Sequence, residues 1–198
     1  MSIKVLGIYG SPRAKGNTDQ LLDKALEGAK AQGAEISSVY ARKLKMSGCL
    51  ECGGCDKTGK CVVKDDMQKV YPLIKEAAII ILSSPMFFYS VTAQVKAIMD
   101  RSQAMWSGRM LTKTKEQRKQ YDSGRGYLIA SGATRGKNLF EGAELTTRYF
   151  FDALDMSYEG GLFFRRIEKP SDIKEKEGAL ESAFAFGKKI VIDAKNKA

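Results

Sequence analysis

Residues Ile79-Ile80-Ile81-Leu82-Ser83 form a nearly unbroken aliphatic run. A short strand without polar alternation has to be buried on both faces. A sheet covered on both faces needs helices between its strands, and the rest of the chain supplies them. Strand patterns occur at Ile3–Tyr9, Glu35–Tyr40, Tyr127–Ser131 and, as an edge, Gly161–Phe164. Helical periodicity covers Thr18–Gln32, where Leu21, Leu22, Ala25, Leu26 and Ala29 share one face. It returns in Thr92–Met105, Leu139–Leu154 and Glu175–Lys195. A further helix carries Met67, Val70, Tyr71, Ile74, Ala77 and Ala78, with Asp65 or Asp66 as its cap. Pro72 inside it predicts a kink or a late start. Five strands alternating with helices predict an α/β fold, a doubly wound five-stranded parallel sheet with helices on both faces. Right-handed crossovers favour the strand order 2-1-3-4-5. The 198 residues are expected to form one domain, 1–198.

Ligands of such sheets bind beyond the carboxyl ends of the strands, where the strand order reverses. The first loop there is Gly10-Ser11-Pro12-Arg13-Ala14-Lys15-Gly16-Asn17-Thr18. It is neither a Walker A loop nor a dinucleotide fingerprint, because G-K-S/T and G-x-G-x-x-G are both missing. It places hydroxyl and amide side chains at a helix N-terminus, where free N–H groups and the dipole accept an anion. Ser11, Gly16, Asn17 and Thr18 are candidate anion contacts, with Arg13 as counter-charge; an ordinary capped turn on Asn17 or Thr18 is the alternative. The third strand runs into Pro85-Met86-Phe87-Phe88-Tyr89-Ser90, whose large apolar groups must cover a flat ligand, another subunit, or both. After the fourth strand, Ser131-Gly132-Ala133-Thr134-Arg135 lets backbone amides approach a ligand closely. A monophosphate pocket, an apolar wall and an amide-lined loop on successive strand ends suit FMN.

All four cysteines, Cys49, Cys52, Cys55 and Cys61, fall within thirteen residues, spaced C-x2-C-x2-C-x5-C and threaded with glycine in the loop 48–61. Four thiolates in a compact run are the ligand pattern of an iron–sulfur cluster, here of the 4Fe-4S type, although Val62 stands where the best-known bacterial run has proline. Zinc, which favours two separated C-x2-C pairs, and free or redox-active thiols remain open. The chain has no histidine, so sulfur or oxygen must hold any metal.

The formal net charge is +10, with basic residues scattered along the chain and densest from Arg109 to Arg125. No helix-turn-helix, zinc-finger or RNA-binding signature accompanies them, so nucleic acid is not the expected partner. The segment Trp106–Gly126 reads as irregular and basic, either a solvated surface excursion or a flap. Its charge would attract an acidic redox partner or a dinucleotide phosphate. The strand pattern at Ile3 leaves no room for a signal peptide, and the longest apolar stretch, Ala77–Leu82, cannot span a bilayer. With clustered thiols, this predicts a cytoplasmic protein without membrane contact.

The phosphate-loop residues, the stretch Ser84-Pro85-Met86-Phe87-Phe88…Ser90-Val91-Thr92-Ala93-Gln94-Val95-Lys96…Asp100-Arg101, and the cysteine run with Asp65-Asp66-Met67 together resemble the flavodoxin-like NADPH-dependent FMN reductases. Within that group the cysteine spacing resembles the iron–sulfur flavoproteins, and the similarity covers nearly the whole chain. Glu51 stands where relatives often have glycine, and Tyr89 where a small residue is common. The resemblance implies a flavin-dependent oxidoreductase in which FMN carries the chemistry and no side chain acts as a catalytic base. Amides around Gly132–Arg135, with Arg135, would steady negative charge on the flavin's pyrimidine edge. Because a cluster carries one electron and a flavin one or two, the expected role is exchange between a one-electron donor such as an acidic ferredoxin and a two-electron acceptor. Direct use of NAD(P)H without a cluster, as an FMN or quinone reductase, is the alternative, and a non-catalytic redox sensor the third reading. Exposed Met86–Tyr89 and Trp106 predict a homodimer or homotetramer.

Overall fold

In the computed structural model, which describes residues 2–196, five parallel strands form one sheet in the order β2-β1-β3-β4-β5. The strands are β1 (Lys4–Tyr9), β2 (Glu35–Tyr40), β3 (Ile79–Pro85), β4 (Gly124–Gly132) and β5 (Met156–Arg165). The aliphatic run lies at the centre, with Ile80 between Leu6 of β1 and Gly126 of β4, and Ile79 to Ser84 are all buried. Successive side chains alternate between two cores. Leu6, Ile8, Ile80, Leu82 and Leu128 pack with α2 (Met67–Glu76), α3 (Ala93–Arg101) and α5 (Glu141–Ala153). Val5, Ile79, Ile81 and Ile129 face α1 (Asn17–Ala31) and α7 (Ala179–Lys195). Those two helices touch backbone to backbone: a Cβ on Gly187 would lie 1.8 Å from the Ala25 carbonyl oxygen.

Several elements depart from the sequence-based expectation. The helix expected over Thr92–Met105 is two helices, α3 and α4 (Gln103–Thr112), joined at Ser102, whose hydroxyl donates to the Ile98 carbonyl at 3.0 Å. The segment 106–126 is therefore mostly regular: α4 runs to Thr112, β4 begins at Gly124, and only the stretch between is irregular apart from one 3-10 turn. Its basic residues are not all solvated. Arg109 is buried and pairs with Asp152 (3.0 Å) and Asp155 (2.9 Å), and Lys113 bridges Asp122 and Asp155. Partners some forty residues downstream neutralise a patch that the local sequence presents as a free charge run. β5 is a ten-residue strand because Met156–Tyr158 also pair with β4 across a register shift. The closing helix starts at Ala179, with Gly178 at φ +68° as its N-cap, after a separate short α6 (Asp172–Glu175). α2 begins at Met67 and runs through Pro72. No helix among the described residues is long and apolar enough to cross a membrane.

Candidate functional site

Three loops meet at the carboxyl ends of β1, β3 and β4, bound to one another by their own backbones. The Gly10 N–H donates to the Ser83 carbonyl (2.8 Å), and the Met86 N–H to that of Ser131 (2.8 Å). Thr92, the N-cap of α3, donates its hydroxyl to the Gly10 carbonyl at 2.7 Å. These cross-ties bring together Ser11, Gly16 and Thr18, the stretch Pro85–Ser90, and Ser131–Arg135.

At the first loop, Gly16 and not Asn17 or Thr18 is the N-cap of α1, and no side chain caps the helix. The leading N–H groups of the helix are thus left to an incoming acceptor. Thr18 is buried and its Oγ1 has no hydrogen-bond partner. Such a hydroxyl is costly unless something completes it. Asn17 is spent elsewhere: its amide donates to the Lys169 carbonyl (2.9 Å) and accepts from the Ile173 N–H (3.3 Å), tying the α6 region to the loop. Ser11 is buried and its Oγ accepts the Arg13 N–H, while the Arg13 side chain is exposed. Beneath the loop, Arg42 donates to the Ser11 carbonyl (3.1 Å) and pairs with Asp19 (3.0 Å). Burial lifts the Asp19 carboxyl above its ordinary value, against the pull of Arg42.

At the second loop, Phe87 and Ser90 exchange both backbone hydrogen bonds at 3.0 Å. Phe88 and Tyr89 form a two-residue tip with φ +49° and +60°. That is the backbone of a type I′ hairpin, which normally takes Asn-Gly. A bulky residue in the left-handed region costs about 1–2 kcal/mol, and such strain persists only where the surroundings enforce it. Phe88 is fully exposed, while Tyr89 leans on the third loop, where a Cβ on Gly136 would sit 2.7 Å from its hydroxyl. In the third loop Ser131 and Gly132 are buried and Ala133, Thr134 and Arg135 are exposed. A Cβ on Gly132 would crowd Leu139 at 3.0 Å and Met86 at 3.1 Å.

The cysteines occupy a different surface. All four line one open cavity of about 1090 Å³, together with Arg101, Trp106 and Tyr149. Cys49 Sγ accepts the Glu51 N–H (3.4 Å), Cys55 Sγ lies 3.6 Å from Ser107 Oγ, and Cys61 Sγ accepts from Arg101 Nη2 (3.4 Å). Burial pushes the Cys61 thiol up, but the Val63 backbone and the Arg101 guanidinium outweigh it and lower its pKa. Glu51 holds φ +51°, which explains why glycine suits that position. Among the described residues no three His, Cys, Asp or Glu side chains are grouped closely enough to hold a metal ion. The donor set nevertheless fits a sulfur-bound centre: four thiols on one cavity wall, three of their sulfurs already beside polar groups.

Sequence reasoning missed Arg42, and it named Thr92 and Arg101 only within the stretch that carries the family resemblance, without a role of their own. Thr92 had a legible signal, a threonine directly before a helical pattern. Arg42 and Arg101 had none, because their partners lie 23 to 54 residues away.

Residues 3–156 match the family described as NADPH-dependent FMN reductase. The chain is 31% identical over 196 residues, covering 95% of both proteins, to an iron–sulfur flavoprotein of Methanocaldococcus jannaschii. It is 40% identical over 99 residues to an iron–sulfur flavoprotein of Archaeoglobus fulgidus, a match spanning 50% of this chain and 45% of that one. A flavodoxin from the domain Archaea superposes with a TM-score of 0.58 at 16% identity, covering 98% of this chain and 99% of the other, so the fold is shared. The chain belongs to the NADPH-dependent FMN reductase family, in its iron–sulfur flavoprotein group, and is a flavin-dependent oxidoreductase.

Proposed function

We propose that the chain binds FMN across the three strand-end loops and exchanges electrons between it and a 4Fe-4S cluster held by Cys49, Cys52, Cys55 and Cys61. The observation that carries the flavin placement is the uncapped N-terminus of α1 with the buried, partnerless Thr18 hydroxyl inside its first turn. Bound FMN supplies one- and two-electron chemistry, and thiolate-held iron supplies single electrons. The residues do the rest. The N–H groups of Asn17 and Thr18, with Thr18 Oγ1 and the Ser11 segment, hold the phosphate, and Arg13 adds exposed counter-charge. Pro85–Phe88 and Ser90 form the wall for the ring. Backbone amides from Ser131 to Arg135, with the Arg135 guanidinium, steady negative charge on its polar edge. Tyr89, braced on Gly136, narrows the approach. No proton-transferring side chain is required, in keeping with a chain that has no histidine.

The physiological donor is read as an acidic ferredoxin-like protein, on the strength of the +10 charge, and the acceptor as a two-electron carrier. Exposed Leu50, Val62, Trp106, Leu145 and Tyr149 around the cysteine cavity suit coverage by a second copy in a homodimer or homotetramer. One observation favours a second reading, NAD(P)H-dependent FMN or quinone reduction without a cluster: the thiols do not converge into a closed cage. Anaerobic purification with flavin, iron and sulfide counting separates the two. Flavin with iron and sulfide supports the cluster, and flavin without iron, bleached by NADPH, supports the second reading.

A further inference from the structure

Arg101 is the largest fully buried side chain among the described residues, and the flavin chemistry does not use it. Its side chain is 1% exposed. A guanidinium so placed is costly to bury unless its N–H groups are matched. Nη1 donates to Asp65 Oδ2 (2.5 Å) and to the Ser47 carbonyl (3.2 Å). Nη2 donates to Asp65 Oδ1 (3.1 Å), to the Val63 carbonyl (3.5 Å) and to Cys61 Sγ (3.4 Å). The fork thus grips the chain just before the first cysteine and just after the last. Tyr71 fixes the base of the arrangement by donating to the Arg101 carbonyl at 2.7 Å. A lysine could supply the charge but not this planar fork of Nη1 and Nη2 donors; Nε is the one group of the guanidinium left without a partner.

We propose that Arg101 is a positioning residue that closes the cysteine loop and raises the reduction potential of the centre bound there, with Asp65 opposing it. The inference rests on the cluster reading given above. Potentials of thiolate-held iron respond to net charge nearby and to hydrogen bonds on the sulfurs. An N–H donor and a positive charge at Cys61 favour the more negative, reduced form. The Asp65 carboxylate, bidentate on the same guanidinium, offsets part of that charge. The two residues therefore act with opposite sign, which a merely structural clamp would not do.

The test is a redox titration followed by electron paramagnetic resonance on the full-length, anaerobically purified protein and its Arg101→Gln, Arg101→Lys and Asp65→Asn variants. Iron and sulfide are counted first in each. The expected result is a midpoint potential below wild type for Arg101→Gln and above it for Asp65→Asn, with Arg101→Lys between Gln and wild type. If Arg101→Gln does not retain iron, Asp65→Asn decides: a higher potential supports the proposal and an equal or lower one overturns it. Shifts of the same sign in both, unchanged potentials, or iron lost from all three variants would reduce Arg101 to a scaffold and overturn it. Absence of iron and sulfide from the wild-type protein would instead remove the cluster reading, and this inference with it.

Discussion

Thr18 and Thr147 both bury a hydroxyl without a partner, and of the two it is Thr18 that lies at the proposed phosphate site. Its Oγ1 sits in the first turn of α1 with no partner, so folding alone draws no benefit from it. Replacing it with valine keeps the shape and removes an unmatched polar atom, which is nearly neutral or stabilising. Thr18→Val is therefore expected to leave the urea midpoint unchanged or slightly raised, while FMN affinity falls roughly tenfold or more through loss of one hydrogen bond to a charged group. A fall in stability with unchanged affinity would make the hydroxyl structural. Asp65 behaves in the opposite way. The hydrogen bond from Arg101 holds its carboxyl below the ordinary value, against burial. A group depressed in the folded state contributes stability that is full above the usual carboxylate value near 4 and is lost as pH falls through the lower folded value. Asp65→Asn should accordingly be less stable than wild type at neutral pH, with the gap shrinking below about pH 4; a gap independent of pH would contradict the ion-pair assignment. The cysteines announced themselves by spacing. Arg101 did not, because an arginine near the end of an amphipathic helix looks solvated until Asp65 and Cys61 fold against it.

Among the elements, the hairpin after β3 is the one held against its own preference. Two bulky residues at positive φ serve a turn that Asn-Gly would form without strain. The double substitution Phe88→Asn with Tyr89→Gly should raise stability by about 1–3 kcal/mol and weaken FMN binding, because the ring's wall and the brace on Gly136 are lost together. Unchanged flavin affinity in that variant would separate the hairpin from the site. The apolar content of this loop was plain in the sequence, but its turn type was not, since turn chemistry is normally read from glycine and asparagine. The strands and long helices were legible for the usual reason: β3 has no polar alternation, and α1 repeats its leucines on one face. The break at Ser102 and the helical run to Thr112 were hidden. The break is held locally, by the Ser102 hydroxyl on the carbonyl four residues back, and the run to Thr112 by tertiary pairing of Arg109 and Lys113 with acids of α5 and the turn after it.

At the scale of the whole molecule, the sheet places two surfaces with separate demands on one chain. The strand ends offer an open helix terminus, a strained aromatic tip and a side-chain-free Gly132, while the α3–α4 side offers four thiols in an apolar-rimmed cavity. The strand order, 2-1-3-4-5, is what puts the first three at a topological switch point. The central interaction is that of the FMN phosphate with the open end of α1. The most direct measurement compares FMN with riboflavin, which carries the same ring without the phosphate, by fluorescence titration against the flavin-free protein. FMN should bind roughly a hundredfold more tightly, the equivalent of two hydrogen bonds to a charged group. Equal affinity for the two would contradict the assignment of α1 as the phosphate site.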